Sequence, residues 1–208
     1  MYLKLCGFTR CEDVKDACQL NIDALGFITF PKSKRYVDLE SLAQLSERVP
    51  SQIDRVAVTV NMPYEQIKHM ILTTQVNTIQ LHGDEPLSLI HTLKAKHPHI
   101  KLFKALPANE QLTLQIARFA PHVDKILVDT PSPMYGGTGQ MFDWHILQNV
   151  TTTPLIVAGG LNISNLPRLF ATHASIDGVD VASAIEKEKG IKDKQKMTQI
   201  VDIVKGVR

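Results

Sequence analysis

Cysteine is scarce in this chain: three in 208 residues, Cys6, Cys11 and Cys18, all close to the start. An odd, clustered count does not read as a disulfide framework, and none of the spacings is the CxxC of a zinc site. Cys11 and Cys18, seven apart on or beside the first predicted helix, read as ordinary packing. Long apolar runs are missing, since none approaches the roughly 18 residues that cross a bilayer. The opening Met1-Tyr2-Leu3-Lys4-Leu5-Cys6 lacks the basic stretch and long apolar core of a leader peptide. Charge of one sign is absent too. With 23 basic against 21 acidic residues the net charge is +2, which argues against a nucleic-acid or membrane partner while leaving room for a local anion site. Low-complexity segments and linkers are also lacking. What is present, 44% hydrophobic and 21% charged residues, is the composition of a soluble globular protein. A cytoplasmic protein with one domain over residues 1–208 is the expectation.

Apolar runs alternate with amphipathic segments at short intervals. Strands are expected near 3–8, 24–30, 54–60, 78–82, 100–106, 125–130, 154–159 and 178–183. Helices are expected near 12–20, 38–49, 63–74, 86–96, 109–120, 143–148, 162–172 and 193–204. Asp38, Asn61, Asn109, Asp143 and Asn162 stand where N-caps are useful, and Pro63 and Pro86 suit first helical turns. Strict βα alternation means parallel strands, closed as a barrel or open as a doubly wound sheet. A count of eight fits an α/β fold of the (β/α)8 (TIM) barrel type, and no GxGxxG follows the first strand to support a dinucleotide-binding sheet.

Barrel active sites lie at the C-terminal ends of the strands. The residues there that are not plain apolar packing are Cys6, His82, Asp129, the pair Gly159-Gly160, and Asp180 with Ser183. Alternation puts Lys4, Cys6 and Phe8 on one face of the first strand and Leu3 and Leu5 on the other. It likewise pairs Gln80 with His82, Leu127 with Asp129, and Asp180 with Ala182. A thiol whose pKa is lowered by a neighbouring cation is a competent general base. A carboxyl whose pKa is raised by partial burial is a general acid, although Asp129 could also simply cap a loop or pair with a lysine. Gly159-Gly160 after strand seven and Ser183 after strand eight stand where barrels bind phosphate through backbone N–H groups. Lys32, Lys34 and Arg35 follow strand two, and the Arg35 fork suits a carboxylate. Three glycines within Gly136-Gly137-Thr138-Gly139 suggest a closing loop beside the acid.

Nine segments in order carry a resemblance to a known family: Lys4-Leu-Cys-Gly-Phe-Thr, Asp23-Ala-Leu-Gly-Phe, Pro31-Lys-Ser-Lys-Arg-Tyr, Gln80-Leu-His-Gly-Asp-Glu, Val128-Asp-Thr, Gly136-Gly-Thr-Gly-Gln, Phe142-Asp-Trp, Ala158-Gly-Gly-Leu-Asn and Gly178-Val-Asp-Val. The chain resembles the phosphoribosylanthranilate isomerases, barrel enzymes of tryptophan biosynthesis. The resemblance implies an Amadori rearrangement of N-(5-phosphoribosyl)anthranilate to the 1-deoxyribulose 5-phosphate derivative, without metal or organic cofactor. It assigns Asp129 as the acid on the furanose oxygen and Cys6 as the base at the sugar C2. Arg35 would hold the anthranilate carboxylate, Gly159, Gly160 and Ser183 the phosphate, with His82 and Asp180 as further substrate contacts. The implied partner is this phosphosugar alone, with no nucleic acid or membrane, acted on by a monomer or homodimer.

Where many members read Asp-Val-Ser-Ser-Gly-Val-Glu, this chain has Asp180-Val-Ala182-Ser183-Ala184-Ile185-Glu186. Ala184 in place of Gly predicts strain if that position needs a positive φ, and weaker phosphate binding at most. Two rivals stand beside the main reading. A histidine-pathway phosphosugar isomerase usually has Asp where Cys6 stands, and a silent ligand-binding barrel has no use for both Cys6 and Asp129.

Overall fold

Short apolar strands separated by amphipathic segments need cover on both faces, and a parallel sheet with helices outside provides it. The computed structural model describes residues 1–131, 141–150, 153–172 and 176–206. Eight parallel strands, β1 (Tyr2–Cys6), β2 (Ala24–Ile28), β3 (Asp54–Thr59), β4 (Thr78–Leu81), β5 (Lys101–Pro107), β6 (Lys125–Asp129), β7 (Leu155–Val157) and β8 (Gly178–Val181), pair in chain order. β8 pairs back onto β1, so the sheet closes as the expected (β/α)8 barrel. The outer helices are α1 (Cys11–Ala17), α2 (Leu39–Glu47), α3 (Tyr64–Thr73), α4 (Leu87–Lys96), α5 (Leu112–Phe119), α6 (Leu166–Thr172) and α7 (Lys194–Gly206). No helix among the described residues is long and apolar enough to cross a membrane.

Two elements differ from the sequence reading. Between β6 and β7 the expected helix is a 3-10 helix, Trp144–Asn149. After β8 a 3-10 turn, Ser183–Ile185, leads into an antiparallel hairpin of β9 (Glu186–Glu188) and β10 (Ile191–Lys192) before α7. Its turn holds Gly190 at φ +87°, a conformation that costs glycine little. The hairpin, residues 186–192, is short and mostly charged, with no alternation to betray it.

The expected caps hold in part. Asp38 accepts from Ser41 N at 2.8 Å, and Asp143 from His145 N at 3.1 Å. Asn162 accepts from the Ser164 and Asn165 amides ahead of α6. Asn61 and Asn109 are not helix caps. Asn61 takes φ 49° in the β3–α3 loop, and Asn109 turns the chain before Gln111, the residue that precedes α5. Pro63 and Pro86 stand one place before their helices, where a missing N–H is equally harmless.

Alternation along the strands divides the core. Leu3, Leu5, Leu25, Phe27, Ala57, Ile79, Leu81 and Val128 face outward under the helices. Inside the barrel pack Cys6, Ala24, Val56, Val58, Phe103, Ala105, Leu127, Ile156 and Ala158. Phe8 departs from the expected face. Gly7 at φ +80° breaks the alternation after β1, and Phe8 joins the outer core instead of sharing the interior with Cys6.

Candidate active site

β1 brings the first two polar groups inside. In register, Lys4 stands beside Ala24 of β2 and Asp180 of β8, and Cys6 beside Gly26. The Lys4 ammonium is fully buried and bonds Asp180 Oδ2 at 2.7 Å. Burial works against that charge, but Asp180 and the neighbouring Cys6 outweigh it and hold the Lys4 pKa above its ordinary value. Gly26 makes the arrangement possible, because a Cβ there would lie 2.6 Å from Cys6 Sγ and 3.0 Å from Lys4 Nζ. The thiol departs from expectation. Burial pushes its pKa up, with Asp180 adding to the rise, and the lysines Lys4 and Lys192 offset this only in part. Burial thus favours the thiol form of Cys6 over the thiolate.

Across the barrel, β4 and β6 supply an imidazole and a carboxylate. His82 Nε2 is 3.3 Å from Asp129 Oδ2, and His82 Nδ1 is 2.9 Å from Gln80 Nε2. The Thr130 amide donates to Asp129 Oδ1 at 2.7 Å. Behind this pair lies a clamp that the sequence did not advertise. Buried Lys104 of β5 donates to Gly83 O at 2.6 Å, Leu81 O at 3.2 Å and Glu85 Oε2 at 3.0 Å. It thus grips the carbonyls on either side of His82. Glu85 in turn accepts from the amides of Asn61 and Gly83, both at 3.0 Å.

Arg35 lines the cavity, but its fork is not free for a substrate carboxylate as expected. Nε and Nη2 both bond Glu186 of the hairpin, at 2.7 Å each. Lys192 joins the same carboxylate at 3.0 Å and donates to Cys6 O at 2.6 Å, so the hairpin is stapled to the strand end that carries the thiol. Burial alone would raise the Glu186 pKa; the hydrogen bonds and charges of Arg35 and Lys192 hold it below the usual carboxylate range. What Arg35 offers the cavity is its remaining nitrogen and its charge, beside Lys32, Lys34 and Lys189 on the rim.

Gly159 and Gly160 take φ +80° and +63° at the end of β7. A Cβ on Gly159 would sit 2.2 Å from Thr130 Oγ1 and 2.7 Å from Asp129 Oδ1, so the bare backbone is what lets this loop approach the carboxylate. The strain expected at Ala184 is absent. It lies inside the 3-10 turn Ser183–Ile185, and Asn61 is the one non-glycine with positive φ among the described residues. The glycine-rich segment Gly136–Gly139, expected to close over the site, lies outside the described residues.

All eight residues singled out from the sequence line one cavity of about 320 Å³ at the C-terminal mouth of the barrel: Cys6, Arg35, His82, Asp129, Gly159, Gly160, Asp180 and Ser183. Gln80, Lys104, Glu186 and Lys192 complete the surroundings. Of these Gln80 carried a signal in its two-residue spacing from His82 and Glu186 in closing the Asp180–Glu186 segment, while Lys104 and Lys192 carried none. A closed (β/α)8 barrel whose mouth gathers a thiol, an imidazole, two carboxylates, cations and open glycine backbone in one cavity has the form of a barrel enzyme's active site. Comparison with known proteins narrows the class: the family model for N-(5'phosphoribosyl)anthranilate (PRA) isomerase matches residues 3–203. The chain belongs to the PRA isomerase family, and it is an isomerase of tryptophan biosynthesis. It is 46% identical over 208 residues to the N-(5'-phosphoribosyl)anthranilate isomerase of Staphylococcus aureus, covering 100% of this chain and 99% of the relative. Its fold is similar to the phosphoribosyl anthranilate isomerase of Thermotoga maritima, with a TM-score of 0.89, 33% identity and 100% coverage of both chains. It is likewise similar to a phosphoribosyl anthranilate isomerase in complex with reduced 1-(o-carboxyphenylamino)-1-deoxyribulose 5-phosphate (TM-score 0.85, 30% identity, 100% of both chains).

Proposed function

We propose that Asp129 and Cys6 divide the Amadori rearrangement of N-(5-phosphoribosyl)anthranilate between them, within one catalytic domain formed by residues 1–208. Asp129 gives a proton to the furanose ring oxygen, and the ring opens to an iminium. Cys6 then removes the C2 proton, leaving an enolamine that tautomerises to the ketone. This order suits the thiol: burial disfavours the thiolate, whereas an iminium cation formed beside Sγ favours it at the moment a base is needed.

The other residues hold the two ends of the substrate. Arg35, through the nitrogen Glu186 leaves free, draws the anthranilate carboxylate together with the rim lysines. Backbone groups of Gly159, Gly160 and Ser183 cradle the phosphate, since glycine lets the main chain come close. Asp180 Oδ1 is buried without a partner among the described residues and suits a hydroxyl donor of the sugar. The protein acts on this phosphosugar as a monomer or homodimer.

The observation that supports this reading most is the placement of Cys6 (β1) and Asp129 (β6) on opposite walls of the same cavity. The test is the loss of substrate fluorescence when enzymatically generated phosphoribosylanthranilate is supplied. Cys6→Ala and Asp129→Asn are each expected to lower kcat by about 10²–10⁴-fold with thermal midpoints preserved. Retention of wild-type turnover by either variant overturns its assignment.

A further inference from the structure

We infer that Gln80 is a positioning residue that sets the proton count of the His82–Asp129 couple by turning its side-chain amide over. The inference rests on the reading of Asp129 as the acid. Gln80 and His82 lie two apart at the end of β4 and both reach into the barrel. The Gln80 side chain is buried, its Nε2 is 2.9 Å from His82 Nδ1, and its Oε1 has no hydrogen-bond partner among the described residues. The far ring nitrogen, Nε2, is 3.3 Å from Asp129 Oδ2.

A neutral imidazole has one donor and one acceptor nitrogen, so each end of this chain dictates the other. With the Gln80 N–H facing the ring, Nδ1 accepts, Nε2 carries the hydrogen, and Asp129 receives it as a carboxylate. With the amide turned by half a rotation, Oε1 faces the ring and Nδ1 donates. His82 Nε2 then accepts from a protonated Asp129, or holds that proton itself as an imidazolium against the carboxylate. These last two forms contain the same number of protons, one more than the first setting. The extra proton enters from solvent and leaves to the substrate ring oxygen, and no other bond forms or breaks. Either amide orientation leaves one buried end of Gln80 unpaired, the carbonyl in one and the NH₂ in the other, so turning the amide over adds no further unpaired group.

The surrounding charges choose between them. On the His82 side, Glu85 is neutralised by Lys104 of β5. Across the barrel stand Lys4 and Cys6 of β1 and Asp180 of β8, with Lys4 and Asp180 paired. At the rim are Arg35, whose charge is shared with Glu186, and Lys32, Lys34 and Lys189. β3 and β7 present apolar Val58 and Ile156 to the interior. A substrate bearing a carboxylate and a phosphate adds negative charge to these surroundings and favours the setting with the extra proton.

The experiment uses the full chain, Gln80→Met and Gln80→Glu, with ¹⁵N-labelled histidine followed by NMR between about pH 5 and 9. In the unliganded wild-type protein His82 is expected as the Nε2–H tautomer at the alkaline end. Gln80→Glu, which can only accept, is expected to hold Nδ1–H throughout. In turnover, Gln80→Met should move the alkaline limb of kcat/KM down by about one pH unit and lower kcat about tenfold, with KM within about threefold. Gln80→Glu should move the same limb up. An unmoved limb in both variants, or an Nδ1–H tautomer in the alkaline wild-type protein, overturns the inference. If Gln80→Met fails to fold, the Gln80→Glu limb and tautomer still decide. An active Asp129→Asn protein overturns the acid assignment instead and leaves the tautomer measurement standing.

Discussion

Alanine at position 26 tests how closely the thiol and the buried ammonium depend on a missing side chain. Its Cβ would lie 2.6 Å from Cys6 Sγ, 3.0 Å from Lys4 Nζ and 3.1 Å from Lys4 Cε. Comfortable contacts between heavy atoms begin near 3.5–4.0 Å, so the sulfur has to retreat by about 1 Å. Lys4 has no room, being fully buried and fixed to Asp180, and Cys6 can give way only toward the cavity it lines, out of its present position. Overpacking of this kind costs about 1–3 kcal/mol. At about 2–4 °C per kcal/mol for a chain of this size, the thermal midpoint should fall by about 2–12 °C. A reacting group displaced by about 1 Å loses on the order of 10²-fold in rate. Gly26→Ala should therefore lower kcat about 100-fold while remaining folded, read by substrate fluorescence at saturation beside a thermal melt. A variant with a lowered midpoint but wild-type kcat refutes the catalytic half of the reasoning. One with both unchanged refutes the packing as well.

Two further outcomes concern ionisation. Because burial holds the Cys6 thiol above its ordinary value, its alkylation by iodoacetamide should be slower than that of a free cysteine at neutral pH and climb only in alkali. Lys4→Met combined with Asp180→Asn, which removes the cation without stranding the carboxylate, should still slow alkylation, by less than the loss of Lys4 alone because Asp180 also raises the thiol; faster alkylation counts against an electrostatic role for Lys4. Glu186 binds fewer protons folded than unfolded at acid pH, so it stabilises the fold above about pH 4.3 and that contribution is lost as pH falls through its depressed pKa. Glu186→Gln should cost about 3–5 kcal/mol at neutral pH, because Arg35 and Lys192 lose their shared anion, and should flatten the acid limb of stability measured by urea melts.

The barrel was legible because its signal is repetitive. Eight runs of period two, separated by segments of helical period, leave few topologies open. The site was legible for the same reason: once strand ends are located, a cysteine, a histidine and two aspartates stand out against apolar runs. What stayed hidden depends on contacts across long sequence distances. Glu186 reaches Arg35 over 151 positions and Lys192 reaches Cys6 O over 186, so no local pattern announces either. The resting state of Cys6 was misjudged because the neighbouring Lys4 is visible in sequence, whereas complete burial of the thiol and the adjacent Asp180 are properties of the closed barrel. Ala184 was read as strained by analogy with glycine. The local chain settles into a 3-10 turn that any residue can adopt.

Three buried lysines occupy places where leucine would pack, and stability does not explain them. Replacing a buried ion pair by apolar side chains is often neutral or stabilising. Each lysine instead touches a strand end that carries chemistry. Lys4 stands beside the Cys6 sulfur and holds Asp180, Lys192 ties down the Cys6 carbonyl, and Lys104 holds the carbonyls on both sides of His82. Lys4 and Lys104 are each matched by a carboxylate, Asp180 and Glu85, and Lys192 shares Glu186 with Arg35, so the interior gains direction while its charges stay paired. An apolar core orients side chains by shape alone, while a buried ammonium with fixed acceptors also fixes the backbone that presents them. The charges inside this barrel are thus best understood as the mounting of the strand ends that carry Cys6, His82 and Asp180.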